Sequence, residues 1–162
     1  MAGIAESRPD LFMTAGSLND NNSRALAPYT SEAQAKAGFA AAVSGYYTSL
    51  RALLPDAVLA AVGPWQPPAN LPAPAGEIDK AAVVQAALAA AGGPWIFVDN
   101  LNGGWSNSSG ASVSGAAGGG PWQTLANAAD YISSDNVHPN AAGCAYLASR
   151  LASALRAAIL AL

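Results

Sequence analysis

Charge is scarce in this chain. Of 162 residues only 10% are Asp, Glu, Lys or Arg, and the formal net charge is -3. Nucleic acids and anionic membranes are gripped through clustered Lys and Arg, and this composition offers no basis for either partner. Cysteine is nearly absent. Cys144 stands alone, which excludes an internal disulfide framework and a multi-thiolate zinc site and leaves the redox compartment open. Stability must therefore come from packing. Long apolar runs are missing too: no stretch reaches the roughly 18 consecutive apolar residues of a spanning helix. The opening MAGIAESRPDLF has neither the basic start nor the apolar run of a signal peptide. No membrane span is expected, and secreted and cytoplasmic locations both stay open. Histidine is reduced to one residue, His138.

Apolar residues are plentiful, at 52% of the chain, enough for the core of one domain over residues 1–162. Their pattern alternates. DLFMTAG (10–16), AVLAAVG (57–63) and PWIFVDN (94–100) are short continuous apolar runs, the pattern of strands covered on both faces. Helices are expected between and after them. One covers 31–53, with Thr30 or Ser31 as N-cap; a second covers 77–91, closed by Gly92 and Gly93. A last helix, about 140–161, sets Cys144, Leu147, Leu151, Leu155, Ile159 and Leu162 on one face and turns Arg150, Ser153 and Arg156 away. It is expected to close one side of the sheet. A βαβαβ order with right-handed crossovers predicts a parallel sheet in an α/β layered domain. No internal repeat is visible.

The loops after the three strands are GSLNDNNS, GPWQPPANLPAPAG and a Gly- and Ser-rich stretch running to GGGPW. All leave the carboxyl ends of strands, the edge where open α/β sheets bind ligands, and His138 can reach the same edge. The stretch 103–120 is long for a connection in a compact domain and is expected to be a mobile loop on the substrate side. Trp65, Trp105 and Trp122 either line an acyl or sugar-ester pocket or cover apolar surface beside Pro-rich turns. Trp95, inside a strand, is expected in the core. One acidic residue in NDNNS falls far short of a calcium loop, so no metal and no cofactor are expected. Asn21 and Asn107 head N-x-S sequons, which matter only in a glycosylating pathway.

His138 lies in SSDNVHPNAAG (133–143). In the step from Asp135 to His138, the carboxylate can accept the Nδ1 proton of the imidazole, leaving Nε2 outward as a base. The plain alternative is a histidine that fills space at a helix start. In TAGSLNDN (14–21), Asn19 sits on a strand-to-loop turn, where a side-chain amide can donate to a developing oxyanion or simply close an Asx-turn.

The order of these features, GSLND at 16–20, AVLAAVGPW at 57–65 and DNVHPNAAGCAYLA at 135–148, resembles the SGNH (GDSL-type) hydrolase family over nearly the whole chain. The HPNAAG step is the most specific part. The resemblance implies a three-layer α/β/α fold with a flavodoxin-like parallel sheet, and hydrolysis of ester or acyl bonds by a Ser-His-Asp triad. His138 would be the general base, Asp135 its orienting carboxylate and Asn19 an oxyanion-hole donor. The substrate would be an ester-bearing small molecule, lipid or polysaccharide. The family has one residue between the glycine and asparagine of its turn; here Ser17 and Leu18 both intervene.

A second departure is larger. The family's nucleophile lies in a Gly-Asp-Ser motif after its first strand, and residues 1–162 hold no such motif. Ser17, Ser106, Ser108, Ser109, Ser133 and Ser134 are near the expected site edge, but none falls at a strand-to-helix elbow. The chain is therefore expected to be the carboxyl-terminal part of such a domain. The nucleophile and first strand would come from an amino-terminal segment or a partner chain, and the strand at 10–16 would keep an open edge. The alternative is a non-catalytic carbohydrate-binding or structural module on the same fold.

Overall fold

In a computed structural model the described residues are 8–15, 29–63, 75–99, 131, 133–134 and 138–162. Six elements run in chain order: β1 (Leu11–Ala15), α1 (Glu32–Leu53), β2 (Val58–Val62), α2 (Ala75–Ala91), β3 (Trp95–Val98) and α3 (Ala141–Ile159). The strands make an open parallel sheet in the order β1-β2-β3, with Leu11 opposite Val58 and Ala15 opposite Val62. The chain is thus α/β, with each strand inside its expected apolar run. Among the described residues no helix is long and apolar enough to cross a membrane.

Local chemistry sets the helix ends. Ser31 is extended (φ -150°, ψ 159°), and its hydroxyl accepts the Gln34 amide proton at 3.2 Å. Gln34 Oε1 accepts in return from the amide and hydroxyl of Thr30, at 2.9 and 2.7 Å. This is a capping box shifted by one residue, and it satisfies donors that the first turn of α1 leaves open. α2 stops at Gly92 and Gly93, with φ of +72° and +66°, a backbone that residues bearing a Cβ rarely adopt.

Two compact units divide the chain, 1–63 with 79–97 and 64–78 with 98–162. In the first, Tyr47, Leu50 and Leu54 from α1 and its end meet Leu59 and Ala61 of β2 and Val84, Ala87 and Leu88 of α2. Phe12, Trp95 and Phe97 pack against this cluster, so Trp95, expected in the core, is partly buried at its margin. Both helices share one sheet face because the strand order advances in a single direction, and crossovers of one hand then return to the same side. On the alternate strand positions β1 is exposed and the other two strands are buried. Met13 is 43% exposed, Ala60 1% and Ile96 4%. β1 is one edge of the three-stranded sheet.

Arg51, in the last turn of α1, ties the lower end of this unit together. Its Nη1 donates to the carbonyls of Leu54 (3.1 Å), Pro55 (3.2 Å) and Ala57 (2.7 Å), and Nη2 donates to Pro94 O at 2.8 Å. The segments entering β2 and β3 are thereby tied to the end of α1. Nη1 has two hydrogens for three acceptors, so one bond is shared, and the buried Nε has no partner. Gly93 lets the guanidinium approach, since a Cβ there would lie 2.8 Å from Arg51 Cζ.

Candidate functional site

The second unit contains the only histidine. The chain returns on itself around it: the Ser133 amide donates to His138 O at 2.7 Å, and the Asn140 amide donates to Tyr131 O at 2.9 Å. These bonds pair 133 with 138 and 131 with 140, the spacing of a narrow antiparallel turn. They fix the backbone on both sides of an exposed His138.

The next residues build the helix start. Pro139 has no amide proton to place, and Asn140 is extended (φ -78°, ψ -174°). Its Oδ1 accepts from the Gly143 amide at 3.0 Å, while its carbonyl accepts from the Cys144 amide at 2.8 Å. An Asn N-cap is among the strongest available. Gly143 is buried because α3 begins hard against the returning chain. A Cβ at 143 would collide with the Tyr131 carbonyl oxygen and lie 2.9 Å from Pro139 Cβ. The HPNAAG step therefore has a physical content: proline extends, asparagine caps, and glycine admits the neighbouring carbonyl.

A small aromatic group continues from this start. The rings of Tyr131 and Tyr146 meet edge to face, with centroids 6.4 Å apart at 63°. The Arg150 guanidinium carbon lies 6.0 Å from the Tyr146 ring centre. Burial pushes the Tyr146 hydroxyl above its ordinary value of 10.0; the Arg150 charge works against that shift, and Tyr131 adds to it. Arg150 is therefore half-buried, contrary to the expected outward face. The half-buried side of α3 carries Tyr146, Leu147, Arg150, Leu151, Ala154, Leu155 and Ala158, while Cys144, Ile159 and Leu162 are exposed. A long arginine stem can cover an aromatic ring while its head stays wet, which moves the covered stripe one position from an apolar-only reading.

Of the residues the sequence singled out, His138 is placed, in the turn that leads into α3. Asp135, Asn19, Trp65, Trp105 and Trp122, with the stretch 103–120, lie outside the described residues. So do Ser17, Ser106, Ser108 and Ser109. Ser133 is half-buried with its amide committed to His138 O, and Ser134 is exposed. Among the described residues no three His, Cys, Asp or Glu side chains are grouped to hold a metal ion. Cys144 is free and exposed, its Sγ 3.8 Å from Pro139 O. Sequence reasoning missed Tyr131 and the close packing at Gly143. A glycine three residues after a capping asparagine, with a tyrosine shortly upstream, was the available signal. No family model matches the chain, and no curated protein is significantly similar to it.

Proposed function

We propose that residues 1–162 supply the base side of an SGNH-type ester hydrolase. The proposed fold is three-layer α/β/α with a flavodoxin-like sheet whose first strand, followed by the nucleophilic serine, lies outside these residues. His138 Nε2 takes the proton from the serine hydroxyl as its oxygen attacks the ester carbonyl. Asp135 accepts the Nδ1 hydrogen and holds the tautomer, and Asn19 donates to the carbonyl oxygen as it becomes negative. The alcohol leaves with the proton that His138 carries. Water, deprotonated by the same imidazole, then releases the acid and restores the serine. Trp65, Trp105 and Trp122 line the pocket for an ester-bearing small molecule, lipid or polysaccharide.

One observation carries this reading. His138 is exposed, yet its backbone is fixed by two short hydrogen bonds and leads directly into a capped helix. A general base needs both properties: access to the reacting proton and a held position.

The test is hydrolysis of a p-nitrophenyl ester by residues 1–162 alone and joined in frame to the sequence preceding Met1 in its gene. The chain alone should turn over little. The joined protein should hydrolyse the ester and lose on the order of 10⁴-fold or more in kcat with His138→Gln. Asn19→Ala should cost roughly 10² to 10³-fold. A joined protein whose turnover ignores His138→Gln would remove the histidine from the chemistry.

A further inference from the structure

A cleft of about 470 Å³ opens at the carboxyl ends of β1 and β2, under α1. Its size falls within the range of roughly 300 to 1,000 Å³ common for small-molecule sites. Phe39, Val43, Val62 and Val84 give it apolar walls, and Ala61 leaves room on the sheet side because its side chain is a single methyl. Every one of these residues belongs to the unit that contains β1 and α1, and none of them is a residue that the ester-hydrolase reading uses.

The polar atoms in the cleft are arranged in a chain. Thr14 Oγ1 lies 2.7 Å from Tyr47 Oη and 3.3 Å from Ala60 O. A threonine hydroxyl has one hydrogen. That hydrogen can go to Ala60 O, with Tyr47 donating to Thr14, or to Tyr47 Oη, with the Tyr47 hydrogen left for a ligand. The pair can therefore accept from a ligand or donate to it. A ligand hydroxyl, which both donates and accepts, suits either arrangement, while a carboxylate there would lose its water among apolar walls. Tyr46 packs edge to face on Tyr47 at 5.2 Å and is 38% exposed, on the solvent side.

We infer that this cleft binds a neutral, mainly apolar ligand that carries a hydroxyl group, an aliphatic alcohol being the simplest member of the class. The surroundings of the hydroxyl pair agree. Burial pushes the Tyr47 hydroxyl above its ordinary value, against the lowering effect of the Thr14 bond, so the same space opposes negative charge in the ligand.

The experiment is a titration of the full chain with octan-1-ol and with octanoate at neutral pH, read from the methyl resonances of Val43, Val62 and Val84. The alcohol should shift these methyls saturably, with octanoate weaker by at least about tenfold. Ala42→Phe, at an exposed position of α1 beside the cleft, should abolish the alcohol shifts and leave the Leu50 and Leu88 methyls unchanged. Thr14→Val removes one hydroxyl of the pair, so the alcohol shifts should saturate only at higher concentration. Absence of a saturable shift with the alcohol would overturn the inference. Equal binding of octanoate, or alcohol shifts indifferent to Ala42→Phe, would do the same.

Discussion

α1 and α3 begin alike and are anchored at opposite ends. Each opens on an extended residue whose side chain caps the first turn, Ser31 in one and Asn140 in the other. α1 buries Ala35 in its first turn and gains its larger hold near its far end, where Tyr47 and Leu50 are buried and Arg51 reaches four carbonyls. α3 is held at its start, where Gly143 is its one buried residue, and its far end leaves Ile159 43% and Leu160 78% exposed. An end fixed by core packing serves stability. An end fixed by a tight turn beside an exposed histidine serves position.

The largest break in that comparison should come from Arg51→Ala. Four carbonyls would lose a charged donor, at a cost of about 3 kcal/mol, so Tm should fall by about 6 to 12 °C in a thermal melt. Arg51→Lys should recover little, since an ammonium lacks the planar fork that reaches both strand entries. An unchanged Tm for Arg51→Ala would show that the helix end is held by its apolar contacts alone.

Gly143→Ala should come next. The added methyl collides with the Tyr131 carbonyl, and overpacking of this kind costs about 1 to 3 kcal/mol. Hydrogen exchange should rise first at the Gly143 and Cys144 amides, with the Leu50 amide unaffected. Equal protection loss at both places would mean that the two helix ends are not independently held.

The matched pair Asn140→Ala and Ser31→Ala sharpens the comparison. Each removes one cap at about 1 kcal/mol, and the two Tm losses should agree within about 2 °C. In a complete hydrolase only Asn140→Ala should also lower kcat, because only that cap adjoins the histidine. Equal kinetics for the two variants would separate α3 from catalysis.

The smallest effect is at alkaline pH. The hydroxyls of Tyr47 and Tyr146 are both raised above 10.0, chiefly by burial. Above about pH 10 the unfolded chain gives up protons that the folded chain keeps, so stability falls with rising pH; below that value both forms are neutral and the full contribution is present. Tyr47→Phe should flatten the decline in Tm more than Tyr146→Phe, as Tyr47 is buried and Tyr146 only half-buried.

The elements themselves were legible in the sequence because their signals are local. LFMTA and VLAAV are short apolar runs bounded by turn residues, the Thr30-Ser31 pair marks a helix start, and Gly92-Gly93 marks a stop. Arg51 was not legible: its partners at Ala57 and Pro94 become neighbours only after the strands align. The same reason hides the fit of Gly143 to Tyr131 and the stacking of Arg150 along α3. At the candidate site, the exposed histidine at the entry to a capped helix follows directly from its Pro-Asn neighbours. Its partners, Asp135 and Asn19, lie outside the described residues, so chain order and family resemblance alone speak for them.

Arg51 is a cation at the centre of a bonding network, and each of its four partners there is a neutral carbonyl. Ion pairs weaken in salt and vanish when acid protonates the carboxylate. A guanidinium on carbonyls has no such partner to lose. The surface pair Lys36–Glu32, at 3.6 Å and about half exposed, should dissolve in concentrated salt or mild acid at little cost, while the joint between α1 and the two strand entries persists. That joint is therefore held by a charge whose partners neither ionic strength nor carboxylate protonation removes.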